Sequence, residues 1–235
     1  MTDLSRFPVA RRWPATNPDA IQLYSLPTPN GVKAAIALEE LGLAYEAHLI
    51  SFSTNDQKSE EFLSLNPNGK IPAMIDPNGP DGQPIGIFET GAILTYLADK
   101  TGRLMPKEGA GRYAVLQWLF FQVGGVGPMF GQFGHFYKFA ADKVADNPYP
   151  MERYRDETRR LLGVIEGELG KRQWLAGDDY TIADIATFPW VRALREGYDA
   201  ADVIGLDAYP KTMAWVERAA ARPASQKGLN IPPRP

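Results

Sequence analysis

The 235-residue chain contains no cysteine. This excludes structural disulfides, thiolate zinc sites, Cys-X-X-Cys redox pairs and any protein thiol nucleophile, whatever the compartment. If sulfur chemistry occurs, a ligand must bring the sulfur. Histidine is scarce as well: His48 and His135 are too few and too far apart for a metal constellation, so no metal site is expected. Charge of neither sign dominates, with 25 Lys+Arg against 28 Asp+Glu and no basic block longer than Arg11 and Arg12. No electrostatic footprint for nucleic acid is present. Long apolar runs are missing too, none reaching the roughly 18 residues of a membrane span. The first residues carry Asp3, Arg6, Arg11, Arg12 and Asp19, interrupted by Pro8, Pro14 and Pro18, so they hold no secretory core. Neither membrane nor export is expected, and the cytoplasm is the default location.

What is present reads as an ordinary globular chain, 44% hydrophobic and 23% charged, with a length that suits two small domains. Residues 1–19 lack periodicity and are Pro-rich: an irregular extension that drapes over the body or a partner subunit, or a loosely ordered terminus. A short alternating run, 21–25, follows. The motif Pro27-Thr28-Pro29-Asn30-Gly31 closes it, and Val32, Ala35, Ile36 and Leu41 then recur at helical spacing up to Gly42.

Further on, 45–50 reads as a strand, 51–58 as a polar loop and 59–63 as a short helix capped by Ser59. Residues 66–70 make a turn, 71–75 and 85–88 an antiparallel hairpin, and Glu89-Thr90 opens a helix ending before Gly102. The order βαβαββα fits a thioredoxin-like domain over 20–102. Residues 103–111 read as a linker and 112–235 as an all-helical domain, giving α/β plus all-α overall. Helical periods run over 113–123, 151–169, 182–194 and 209–221, with a Gly/Pro break at 124–128. Thr181-Ile182-Ala183-Asp184 has the form of a capping box with Asp in place of the usual Glu or Gln.

Ligands of such a domain bind outside the carboxyl ends of its parallel strands, where Thr28 and Asn30 lie. A hydroxyl or amide there can donate a hydrogen bond to a bound thiolate and lower the thiol pKa. Depression by about two pH units corresponds to roughly 2.7 kcal/mol, more than one neutral hydrogen bond supplies, so a second donor or the helix dipole must contribute. The same two residues also suit a plain helix cap and turn. Tyr24 competes as a donor, unless strand alternation buries it. A cis bond at Ile71-Pro72 would turn the Ile71 backbone toward the mouth; a trans proline at a strand's first residue is the alternative. Glu89 and Thr90 read as a clamp for an α-amino acid, or as a simple N-cap. Eight aromatics between Trp118 and Phe139 serve mainly as core, some of them as an apolar pocket. Arg153 reads first as a solvated charge.

Three stretches carry a resemblance: Leu23-Tyr-Ser-Leu-Pro-Thr-Pro-Asn-Gly31, Asn66-Pro-Asn-Gly-Lys-Ile-Pro-Ala73 and Phe88-Glu-Thr-Gly-Ala-Ile-Leu-Thr-Tyr-Leu97. Together they resemble the glutathione-binding domain of a glutathione S-transferase. Gln117-Trp-Leu-Phe-Phe-Gln-Val-Gly-Gly-Val-Gly-Pro128 and Tyr180-Thr-Ile-Ala-Asp-Ile-Ala-Thr-Phe-Pro-Trp190 narrow this toward the bacterial Nu class, related to yeast Ure2-like proteins. The resemblance implies a homodimer that binds glutathione or glutathione disulfide and acts as a disulfide-bond reductase or transferase on a small-molecule substrate. By matching position it implies Thr28 and Asn30 at the glutathione sulfur and Ile71, before a cis Pro72, on the cysteinyl backbone. Glu89 and Thr90 would hold the γ-glutamyl end, with Gln57, Lys70 and Arg153 as further contacts. Tyr24, Trp118, Phe121 and Tyr137 are the candidates for an electrophile pocket. Lack of cysteine fits this branch and excludes the cysteine-dependent classes; a non-catalytic glutathione-binding regulator of the same fold is the alternative.

Overall fold

The computed structural model describes residues 2–233. Two compact units divide the chain: residues 1–101 with 223–235, and residues 102–222. In the first, β1 (Ile21–Ser25), β2 (Tyr45–Leu49), β3 (Ala73–Asp76) and β4 (Ile85–Phe88) form one sheet in the order β2-β1-β3-β4. β1 runs parallel to β2 and antiparallel to β3, and β3 and β4 are the expected antiparallel hairpin. Pro72 has no N–H for a ladder, so β3 pairs from Ala73, opposite Phe88, rather than from residue 71. The Ile71–Pro72 peptide is cis.

The helices of this unit are α1 (Val9–Arg12), α2 (Gly31–Leu41), α3 (Glu60–Leu65) and α4 (Thr90–Thr101). α2 ends as expected at Gly42, whose φ of 66° lies in the left-handed region, and Ser59 caps α3 by accepting from the Phe62 N–H at 3.3 Å. β1 is buried along its whole length because both faces are covered. On the face of Tyr24 the cover is the N-terminal extension, so that segment drapes over its own unit. Leu4 and Val9 join Tyr24, Ile50, Phe62 and Ile75 in one apolar cluster. Arg12 donates to Asp56 at 2.6 Å, and the Thr16 and Asn17 N–H groups donate to the Glu46 carboxylate at 2.9 and 3.0 Å.

In the second unit, the named helices are α5 (Gly109–Phe121), α6 (Gly127–Gly134), α7 (Tyr149–Leu169), α8 (Ile182–Glu196), α9 (Ala201–Ile204) and α10 (Pro210–Ala220). The last helix, α11 (Pro223–Gly228), belongs to the first unit.

Three sequence expectations are corrected. The helical domain does not extend to 235: Lys227 pairs with Glu39 of α2 at 2.9 Å, and a Cβ on Gly228 would lie 2.7 Å from Ile36. Only a glycine lets the chain approach α2 this closely. The linker at 103–111 is shorter than expected, because α5 already begins at Gly109, Met105 is buried and the Ile182 N–H donates to the Leu104 carbonyl at 3.0 Å. Finally, Gly124 to Pro128 is no break. The chain passes through a wider π-helical turn (Gln122–Val126) into α6, and Pro128 lies in that helix's first turn, where its missing N–H is not needed.

The capping box is formed. The Asp184 carboxylate accepts from the Leu175 and Thr181 N–H groups, both at 3.0 Å, and from the Trp215 indole at 2.9 Å. It is wholly buried, and Trp215, Ile185, Phe188 and Leu162 are buried as well.

Candidate active site

The turn between β1 and α2 is set by glycine. A Cβ on Gly31 would sit 1.9 Å from the Leu26 carbonyl oxygen and 2.6 Å from Ser25 Oγ, so a side chain there would force the turn open. Thr28 takes the capping role: its Oγ1 accepts from the Gly31 N–H at 3.2 Å, and its N–H donates to the Leu26 carbonyl at 2.7 Å. Asn30 does not cap. It sits at the N-cap position with no side-chain capping bond. Its Oδ1 instead accepts from Lys33 Nζ at 2.8 Å. Both Thr28 and Asn30 are half-buried.

No sequence motif marks Lys33, yet it ties Asn30 to Thr90. It is 1% exposed, and its Nζ reaches Thr90 Oγ1 at 3.5 Å as well as Asn30. Asn30 and Thr90, expected at opposite ends of a ligand, are thus joined through one ammonium. Burial lowers the Lys33 pKa to about 7, with Glu89 pulling it back upward. Lysine's ordinary value is 10.5, so between the two values the unfolded chain binds more protons than the folded one. Stability must therefore rise with pH across this window and fall away as pH drops toward 7. Urea unfolding of wild type and Lys33→Met at about pH 7 and pH 9 checks this: the variant should lack part of the wild-type gain, and equal gains would contradict it.

Thr90 is buried at the start of α4, while Glu89 is exposed with φ of 69°. That left-handed backbone turns the chain from β4 directly into the helix and leaves the carboxylate beside the helix N-terminus. On the other side, Asp56 anchors the loop carrying Gln57, accepting from Arg12 and from the Ser51 N–H at 2.9 Å. A Cβ on Gly69 would meet Lys58 Nζ at 2.9 Å and the Gln57 carbonyl oxygen at 3.0 Å, so this loop lies against the turn bearing Lys70 and Ile71. Lys70 is exposed and Ile71 buried. Gln57 Oε1 is itself buried and has no hydrogen-bond partner among the described residues, an acceptor left for a ligand's donor.

Tyr24 is removed from the electrophile pocket and from competition as a donor. It is 0% exposed, stacked on His48 with centroids 4.8 Å apart and met edge-on by Trp13. Its hydroxyl has no partner among the described residues, and burial raises its pKa. In the second unit, Trp118 meets Phe121 edge-on at 5.3 Å. Tyr137 stacks on Phe133 at 5.1 Å and donates to the Asp199 carbonyl at 3.3 Å. Arg153 is an exposed side chain of α7. Among the described residues, no group of three or more His, Cys, Asp or Glu could hold a metal, and no helix is long and apolar enough to cross a membrane.

Comparison with known proteins bears on both units. Residues 19–99 match the glutathione S-transferase N-terminal domain and residues 144–223 the glutathione S-transferase C-terminal domain. The chain belongs to the glutathione S-transferase family. Among relatives of this transferase is the disulfide-bond oxidoreductase YfcG of Escherichia coli, 46% identical over 210 residues, covering 89% of this chain and 94% of that protein. A glutathione transferase from Burkholderia graminis, with two glutathione molecules bound per subunit, superposes with a TM-score of 0.98 at 56% identity, over 100% of this chain and 98% of that one. One from Pseudomonas putida, with one glutathione disulfide bound per subunit, gives 0.95 at 55% identity, over 98% of this transferase and 100% of that chain.

Proposed function

We propose that this transferase reduces small disulfides and peroxides with glutathione, which is oxidised to its disulfide, and also transfers glutathione to carbon electrophiles. A glutathione thiolate attacks one sulfur of the substrate disulfide. The S–S bond breaks to leave a mixed disulfide, and the departing thiolate takes a proton from water. A second glutathione thiolate attacks the glutathione sulfur of the mixed disulfide, expelling the other substrate thiolate and leaving glutathione disulfide. Because the chain has no cysteine, every sulfur in this sequence comes from a ligand, and the protein contributes binding and electrostatics.

One observation carries the reading: the Asn30 amide makes no capping bond to α2, and its oxygen is held by a buried lysine that also reaches Thr90. Asn30 and Thr28 are the donors proposed for the thiolate. Thr90, Glu89 and the N-terminus of α4 take the γ-glutamyl end, the Ile71 backbone before Pro72 pairs with the cysteinyl unit, and Gln57 and Lys70 complete the cradle. The orphaned Gln57 oxygen supports its place there. For Arg153 and for the aromatic residues Trp118, Phe121 and Tyr137 of the second unit, the assignment rests on the family resemblance alone.

Glutathione-dependent reduction of hydroxyethyl disulfide and conjugation of chlorodinitrobenzene test the proposal. Turnover of the disulfide is expected; glutathione binding with no turnover on either acceptor would make the protein a binding module instead. A homodimer working in the cytoplasm completes the reading, supported by the exposed Phe52, Tyr113 and Phe120 side chains. Light scattering should give twice the 26.0 kDa chain mass, and the single-chain mass would rule the dimer out.

A further inference from the structure

We propose that Lys33 is a positioning residue for the thiol chemistry: its buried ammonium locks the Asn30 amide with the oxygen inward, so that the NH2 group is the part presented to a bound sulfur. The inference rests on the proposed placement of Asn30 at the glutathione sulfur. A lysine ammonium has three donors and no acceptor. The Asn30 atom 2.8 Å from Lys33 Nζ is its Oδ1, which accepts, and the amide nitrogen points the other way. Without that fixed partner a primary amide can rotate about its terminal bond and present its oxygen to a thiolate, where it repels rather than stabilises.

Solvation gives no reason for a lysine here, since Lys33 is buried. Lys33 is the one charged residue between Gly31 and Leu38, on a stretch of α2 that is otherwise apolar and buried. Its stem is enclosed, and its ammonium donates to two side-chain oxygens, Asn30 Oδ1 and Thr90 Oγ1, that the fold brings together from the starts of α2 and α4. With its hydroxyl oxygen engaged by Lys33, Thr90 has its own proton to donate outward. Glu89 is the charged group acting on Lys33. On the elements packed against α2, Lys227 is paired with Glu39 and Lys100 with Asp76. A thiolate or carboxylate arriving at either end of this chain of groups favours the charged lysine, which in turn keeps the amide in the productive orientation.

The experiment compares wild type, Lys33→Met, Asn30→Ala and the double variant, using glutathione with hydroxyethyl disulfide. Two quantities are read: kcat, and the titration midpoint of bound glutathione from thiolate absorbance. Lys33→Met should lower kcat about tenfold and move the midpoint upward by about one pH unit, less than full loss of a donor would. Its melting temperature should stay level or rise, because a buried charge has been replaced by an apolar chain of similar volume. The double variant should be no worse than Asn30→Ala alone. Unchanged kcat and midpoint in Lys33→Met, or effects that add in the double variant, would overturn the role of Lys33. An Asn30→Ala variant that behaves as wild type would instead sink the placement of Asn30, and this inference with it. A reading on the wild type needs no variant: the NMR titration midpoint of Lys33 should rise when glutathione is added, and an unmoved midpoint counts against the proposal.

Discussion

Asn30→Ala is expected to lower kcat for glutathione-dependent disulfide reduction by roughly 100-fold, about 2.7 kcal/mol, while changing the KM for glutathione little. The split follows from where the amide acts. In the proposed site its hydrogen bond to sulfur would strengthen as the thiol becomes a thiolate, so the loss falls on the charged state rather than on binding of the neutral peptide. Removing the side chain also takes a partner from Lys33, whose hydrogen bond to Thr90 is long at 3.5 Å. Thr28→Ala should cost less in kcat, because Thr28 Oγ1 is already engaged by the Gly31 N–H. It should also lose about 1 kcal/mol of stability, as helix caps do. Steady-state kinetics and urea unfolding of the two variants check this ranking. A Thr28 variant that loses more turnover than the Asn30 variant would transfer the principal role to the hydroxyl.

Asp184→Ala is expected to destabilise the protein by about 3 kcal/mol or more, a large part of the 5–15 kcal/mol that holds a typical protein folded. The carboxylate is fully buried, so its removal strands the Leu175 and Thr181 N–H groups and the Trp215 indole N–H without water to replace it. Desolvation pushes the Asp184 pKa upward against the pull of these donors. Asp184→Asn keeps the volume but turns an NH2 toward one of the donors, and should recover only part of the loss. Urea unfolding followed by tryptophan fluorescence measures both variants. A change below about 1 kcal/mol in the alanine variant would mean that water or a rearranged loop replaces the carboxylate.

The parts of the fold that could be read from sequence are those in which local pattern and tertiary outcome agree. The alternation at 21–25, the stop at Gly42, the Ser59 cap, the hairpin and the Thr181 to Asp184 box each state their structure within a few residues. What escaped depends on distant partners. The extension at 1–19 lacks periodicity, yet Leu4 and Val9 have a place because Tyr24 and Phe62 leave an apolar surface for them. Residues 223–228 look like the end of a helical domain, and only Gly228 against Ile36 reveals where they pack. The glycines at 124–127 look like a break because sequence cannot distinguish a π-helical turn from an interruption.

In the candidate site, residue types with a recognisable job could be named, and Asn30, Glu89 and Thr90 are drawn together as a group by one residue that had none, Lys33. A lone lysine on a helix reads as a solvated charge. Its signal was the apolar company it keeps, Val32 to Leu38, where a charge is expensive unless it has fixed partners. Tyr24 went the other way. A tyrosine at a strand end beside the mouth has the right chemistry, but burial on both faces of β1 takes its hydroxyl out of reach.

The central claim is that a chain without cysteine ionises a borrowed thiol. Titrating glutathione bound to the wild-type protein by thiolate absorbance tests it most directly, because no protein thiol contributes to the signal. Burial pushes the ionisation of Tyr24, Tyr45, Tyr96, Tyr198 and Tyr209 upward, away from the window. The account predicts a midpoint at or below about 7.5, at least one pH unit under the free thiol near 8.5. A midpoint equal to that of glutathione in water would contradict it.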